Sequence, residues 1–364
     1  MVKNSIINTA RRWLRVGVIA LLSIGLSVTI SAAGLLPAGN AITDGKAILR
    51  YALPIDNKPI REVQGSIEDI SNQLRGKRWN QISADIKKAS GVLHSKEADI
   101  LKSVSEDKQA QAQTLTAALN TEIESLQAAT EAKDKPQVQA ARDRVLAKVG
   151  ELEELMVAGF PYEVPEDYKN LPQLKGRATI DLKTTKGDIT VVVDGYSAPV
   201  TAGNFVDLVQ RGFYNNLPFT RAEDFYVLQF GDPQGDEVGF IDPKTKKYRS
   251  IPLEVLVKGE EAPTYGITLE DAGRYNDEPV LPFSAYGALA MARPETEPNG
   301  GSSQVFFFLF EPELTPAGRN LLDGRYSVFG YVTAGKDVLS EIKAEDRIES
   351  AKVVNGLENL VKAA

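Results

Sequence analysis

Between about residues 60 and 160, apolar positions recur every three or four residues, the spacing that gathers them on one face of an α-helix. Ile60, Val63, Ile67, Ile70 and Leu74 mark a first segment, and Trp79, Ile82 and Ile86 continue on a second. A third carries Leu115, Leu119, Ile123 and Leu126. The fourth opens on Pro136, favoured in a helix's first turn, and carries Val138, Val145, Val149, Leu152 and Met156. Four amphipathic segments predict an all-α four-helix bundle within residues 42–160. Its polar faces, rich in Lys, Glu, Asp and Gln, read as solvated surface, and no carboxylate–histidine spacing suggests chemistry there. The stretch AGFPYEVPEDYKNLPQLKGR then ends the last helix with Gly159 and places Pro161, Pro165 and Pro172 close together. Prolines at that density break both helix and central strand, so 161–176 reads as a Pro-rich linker.

Beyond the linker the period changes from 3.6 to 2. ATIDLKTTKGDITVVVD alternates on either side of TTKG, a hairpin with glycine at its turn. A short helix is expected over 198–214 through Val200, Phe205, Leu208 and Val209, stopped by Gly212. Strand patterns follow at 217–232, 285–292, 304–310 and 326–333. Many strands with few helices predict a mainly-β closed antiparallel barrel over 177–364.

Composition narrows the function. A chain of 364 residues at 43% hydrophobic can bury two cores. The formal charge of -7, from 42 Lys and Arg against 49 Asp and Glu, argues against a nucleic-acid binder and for protein partners. With no cysteine, thiolate nucleophiles, disulfides and sulfur-ligated zinc are excluded; His94, the single histidine, is expected on a solvent-facing helix position. Lys3, Arg11, Arg12 and Arg15 precede the apolar run VGVIALLSIGLSVTI and then small residues. This reads as an export signal over 1–41, cleaved after Ala33 or, by preference, Ala41. The run is shorter than the roughly 18 residues a spanning helix needs, so a retained anchor is the weaker alternative.

Three stretches in the second half carry a specific resemblance. FTRAEDFYVLQFGD, MARPETEPNGGSSQVFFFLF and LLDGRYSVFGYV, in that order, resemble the signature stretches of the cyclophilins, peptidyl-prolyl cis-trans isomerases on an eight-stranded barrel. The layout as a whole resembles the multidomain cyclophilins of the thylakoid lumen in cyanobacteria and plants, and the bundle the four-helix extrinsic subunits of photosystem II.

The resemblance implies a site. Arg221 falls on the family's catalytic arginine, Gln229 on its pocket glutamine and Phe306 on its proline-pocket phenylalanine. Tyr226 and Val227 take the places of a pocket phenylalanine and methionine, while Ala292 and Gln304 match the groups that hold the peptide. Leu322 also agrees. Arg293, Leu321 and Tyr326 depart from the usual asparagine, tryptophan and histidine. The turn through Asn299, Gly300, Gly301 and Ser302 is expected to fold the chain back so that Ala292 and Gln304 line one groove. Strand alternation places Phe306 and Phe308 on one face and Val305 and Phe307 on the other.

The chemistry requires neither cofactor nor metal. The expected function is that of a prolyl isomerase and foldase in an exported compartment, thylakoid lumen or periplasm, assisting photosynthetic proteins. Its partners would be proline-containing clients, photosystem II subunits among them, with no nucleic acid. The chain would be a monomer, soluble after signal cleavage or peripheral to the membrane. Alternatives are a weakly catalytic chaperone or assembly factor that grips proline segments, and a regulator whose bundle covers its own groove. The segment between Asp232 and Met291, longer than compact cyclophilins use there, would carry partner contacts.

Overall fold

The computed structural model describes residues 42–310 and 320–362. The expected export signal and its cleavage lie outside the described residues. Among those described, no helix is long and apolar enough to cross a membrane.

Six helices precede the barrel among the described residues: α1 (Gly45–Tyr51), α2 (Lys58–Arg75), α3 (Trp79–Ser95), the short α4 (Glu97–Leu101), α5 (Gln109–Glu131) and α6 (Lys135–Leu155). Polar caps set the starts of α2 and α6. The Asn57 and Asp134 side chains accept from the backbone N–H of Ile60 and Gln137, each at 3.0 Å, with Pro59 and Pro136 in the first turn. The apolar faces then meet in one core: Ile60, Val63, Ile67 and Ile70 bury against Ile82, Ile86, Leu119, Ile123, Leu126, Val145 and Val149. Leu115 stays half-buried, because α5 turns Ala112, Thr116 and Leu119 inward instead.

The four predicted segments are the long helices α2, α3, α5 and α6, which share this core; the short α4 is additional, and α1 belongs elsewhere by packing. Its Ile48, Leu49 and Ala52 lie with Tyr331, Phe306 and Phe308 on the outside of the barrel. Gly45, its first residue, approaches the barrel so closely that a Cβ there would stand 2.7 Å from Tyr331 Cβ. A seven-residue helix is too short to declare its face by periodicity.

The barrel is built from β2 (Arg177–Thr184), β3 (Gly187–Asp194), β4 (Leu217–Glu223), β5 (Val227–Phe230), β8 (Ala288–Met291), β9 (Val305–Phe308), β10 (Val328–Ala334) and β11 (Arg347–Asn355). Its order, β10-β3-β2-β11-β4-β5-β9-β8, is closed by the antiparallel pairing of β8 with β10. The eight-stranded closed barrel of the sequence expectation is therefore observed. Strand β11 escaped that reading, since RIESAKVVN mixes charge into its alternation. Inside lie Ile180, Leu182, Ile189, Val191, Leu228, Phe230, Val305, Phe307 and Phe329. Helix α7 (Pro199–Gln210) is buried almost all round, because β1 (Gln173–Leu174) lies across the face that an amphipathic helix would expose.

The stretch expected as a linker lies on the barrel. Val164 and Leu174 join its interior core, the Tyr162 hydroxyl donates to the Tyr196 carbonyl at 2.9 Å, and β1 pairs with β12 (Leu360–Val361). Its prolines break regular structure without freeing the chain. Arg177 fastens the halves: it donates to Asp194 at 2.9 Å, to Glu154 of α6 at 3.3 Å, and to the Leu49 carbonyl of α1. The long segment before β8 is itself ordered, with the small pair β6 (Glu254–Val255) and β7 (Thr264–Tyr265) over a core of Leu253, Val255, Val257 and Leu269.

Candidate active site

Strand register assembles the centre of the site. Arg221 of β4 stands opposite Gln229 of β5, Gln229 opposite Phe306 of β9, and Phe306 opposite Ala290 of β8. Directly opposed residues share a face, so the three side chains form a row across neighbouring strands on the outer surface. The alternation puts Val305 and Phe307 in the interior, Phe306 and Phe308 outside.

Over this row opens a cavity of about 280 Å³, lined by Arg221, Tyr226, Gln229, Ala292, Arg293, Gln304, Phe306, Leu322 and Tyr326 from the expected set. Val238, Tyr248, Pro294, Gly300 and Ser302 complete it. No lining residue comes from the helical region, so within the described residues the bundle does not cover this groove. Two expected residues are not part of the wall. Val227 is 4% exposed and packs beneath Phe306 and Phe308, because its short branched side chain stops inside the outer cluster. Leu321 is 89% exposed and does not line the cavity, whereas its neighbour Leu322 packs on the outer cluster.

Polar contacts organise the rim. Arg221 Nε donates to Glu223 Oε1 at 2.6 Å, and its guanidinium lies 5.6 Å from the centre of the Tyr226 ring. That hydrogen bond raises the guanidinium's pKa and holds the Glu223 carboxyl below the usual range. Gln229 Nε2 donates to Gln304 Oε1 at 2.6 Å; Gln304 Nε2 donates to Asp232 Oδ1 at 3.0 Å and to the Val238 carbonyl at 2.9 Å. The Ala292 N–H is engaged by the Gln304 carbonyl at 2.9 Å, so this residue's backbone is held in the sheet.

On the apolar side, Phe283 stacks on Phe306 with centroids 6.0 Å apart, and Tyr326 meets Phe306 edge-on at 5.5 Å. Arg293 covers the far face of Tyr326 at 5.2 Å and donates to the Arg325, Pro294 and Glu295 carbonyls. Burial lowers its pKa. Arg293 and Tyr326, both departures from the expected pattern, thus support one another as a single wall.

The glycines of the turn serve close packing. A Cβ at Gly300 would meet Pro294 Cδ at 2.8 Å, and one at Gly301 would meet Met291 Cγ at 2.9 Å. Val238 and Tyr248 were missed by the sequence reading, which singled out their segment only by its length. They reach the groove through tertiary contacts that no local pattern records: the Ser302 hydroxyl accepts from the Phe240 N–H at 3.0 Å, and Ile251 bridges to Gly301.

A closed eight-stranded antiparallel barrel with Arg221, Gln229 and Phe306 aligned under an outer groove is the arrangement that the resemblance to the cyclophilins implies. Comparison with known proteins sharpens this. Residues 179–358 match the family described as cyclophilin type peptidyl-prolyl cis-trans isomerase/CLD, and residues 44–157 match the PsbQ-like domain of CYP38-like peptidyl-prolyl cis-trans isomerases. A Synechocystis protein carrying the name thylakoid lumen peptidyl-prolyl cis-trans isomerase sll0408 is 61% identical over 90% of this chain and 86% of its own length. The chloroplastic isomerase CYP38 of Arabidopsis thaliana is 45% identical over 93% of this chain and 84% of its own, and Arabidopsis CYP37 33% identical over 87% and 70%. The chain belongs to the cyclophilin-type peptidyl-prolyl cis-trans isomerases, in the group that joins a PsbQ-like helical domain to the barrel.

Proposed function

We propose that the groove over Arg221, Gln229 and Phe306 binds proline-containing protein segments and isomerises the Xaa-Pro bond. The carrying observation is the register that aligns these three residues beneath one cavity. The barrier to rotation, about 18–20 kcal/mol, arises from double-bond character in the C–N bond. As the prolyl nitrogen pyramidalises, its lone pair, shared with the carbonyl in the planar amide, localises on nitrogen, and the permanently charged Arg221 guanidinium donates to it only in that twisted state. Phe306 supports the ring, while Gln304, Gln229 and the backbone at Ala292 hold the flanking peptide, confining motion to one bond. A thousandfold gain requires about 4 kcal/mol, within reach of one charge-assisted hydrogen bond and positioning.

The names of the relatives support an exported, lumenal site of action, and the PsbQ-like match supports clients among photosynthetic proteins, photosystem II subunits included. Exchange spectroscopy on an Xaa-Pro peptide tests the reading: the chain should speed cis–trans exchange at catalytic concentrations. No acceleration, with the peptide still bound, would favour the second reading, a holdase for proline segments. The observation behind that alternative is the Tyr326 edge laid against Phe306, which leaves Phe306 only 6% exposed.

A further inference from the structure

We propose that Glu223 is a positioning residue for the isomerase groove, holding Arg221 by Nε so that the outer edge of its guanidinium is presented to the bound proline segment. This inference rests on the catalytic reading of Arg221 and adds a residue to it.

Arg221 and Glu223 are two apart on β4, so both side chains rise from the same outer face of the barrel. The Nε–Oε1 contact of 2.6 Å is the only hydrogen bond the Arg221 side chain makes among the described residues. Its cross-strand neighbour, Gln229, is committed to Gln304, and Gln304 to Asp232 and the Val238 carbonyl. Among the described side chains, Glu223 alone accepts a hydrogen bond from the guanidinium, with the Tyr226 ring 5.6 Å away as a soft platform and Tyr326 close enough to act on its charge. A guanidinium carries five N–H donors in a rigid fork; one bond at Nε fixes its plane and leaves four for a ligand. Donation to substrate thus proceeds with the Glu223 pair intact. Asp224, the next carboxylate, is engaged by Lys343 at 2.6 Å and does not compete.

Both partners are about half exposed, at 48% and 50% of the side chain. The pair contributes accordingly little to stability and weakens with salt. Its value lies in orientation, so loss of Glu223 should lower turnover by about two- to fivefold, the range an exposed ion pair supports. The change should fall on kcat with KM held, because the bond to the prolyl nitrogen forms only in the twisted state.

The test is a double-mutant cycle on the full chain with an Ala-Pro-containing tetrapeptide, measuring exchange for wild type, Glu223→Ala, Arg221→Ala and the double variant, with Glu223→Gln as the conservative replacement. Carbon-13 NMR of the Glu223 carboxyl runs beside it. Expected are a titration below the ordinary glutamate range that returns to normal in Arg221→Ala, a kcat loss in Glu223→Ala partly restored by Gln and shrinking at high salt, and no further loss when Glu223→Ala is added to Arg221→Ala. Additive losses, a gain of turnover in Glu223→Ala, or an ordinary Glu223 titration in wild type would each overturn the positioning role. If wild type shows no turnover, the isomerase reading itself fails; the same cycle on tetrapeptide affinity then decides whether Glu223 acts through Arg221.

Discussion

Phe306 carries two duties that pull on its size. It floors the cavity, and it packs between Phe283 and Tyr326. Phe306→Leu keeps apolar volume near the original but loses the flat ring, so stability should fall by about 1 kcal/mol while KM rises several-fold and kcat changes less. Chemical denaturation beside peptide kinetics checks both numbers. Arg221, Gln229 and Phe306 could be named from the sequence only through the resemblance of their stretches to the cyclophilin signatures; the strand register that sets them side by side is what the structure adds. Val238 and Tyr248 were illegible because a folded insertion, held by Ser302 and Gly301, brings them in. Glu254 shows a different kind of residue effect. Buried at the start of α7, it accepts from the Val200 and Thr201 N–H groups and the Thr201 hydroxyl, yet burial outweighs these bonds and raises its pKa to about 7. Glu153, buried beside Arg61 in the bundle, is likewise raised to about 7 by burial. Between the ordinary value of 4.5 and about 7 the native state holds protons that the unfolded chain has released. Stability therefore falls as pH rises through that window, by up to about 3 kcal/mol per group, and is level above and below it. Thermal midpoints measured across this range should show the decline in wild type and a reduced slope in Glu254→Gln; parallel curves would rule out Glu254 as a source.

At the scale of elements, α1 links the helical region to the barrel and lies behind the groove, with Ile48 and Leu49 in the same outer cluster as Phe306. Its docking depends on a bare glycine. Gly45→Ala places a methyl 2.7 Å from Tyr331 Cβ, which α1 can relieve only by lifting from β10. The expected result is a loss of about 1–3 kcal/mol, the usual range for overpacking, with faster amide exchange confined to α1 and β10. The long helices and the barrel strands were readable because each repeats its pattern over several turns or residues. Helix α1 and strand β1 were not: seven and two residues do not establish a period, and their places are set by what they touch.

Across the whole molecule, the segment from Tyr162 to Leu174 and helix α1 supply cover that the barrel lacks by itself. A chain cut to residues 177–364 loses Val164 and Leu174 from the interior core and Ile48 and Leu49 from the outer one. It should unfold at lower denaturant than the chain from residue 42 onward, yet bind proline peptides with the same affinity, since no helical-region residue lines the groove. Tighter binding by the fragment would revive the idea of a bundle that covers its own site. The proposed catalysis, however, turns on one guanidinium, Arg221, supplying the decisive hydrogen bond in the twisted peptide. Its most direct test is the rate of cis–trans exchange of a bound Xaa-Pro peptide in wild type and in Arg221→Ala, both confirmed folded. The expected outcome is a fall of at least about tenfold, as removal of a charge-assisted bond entails, with peptide affinity nearly unchanged. Equal exchange rates in the two proteins would contradict the account.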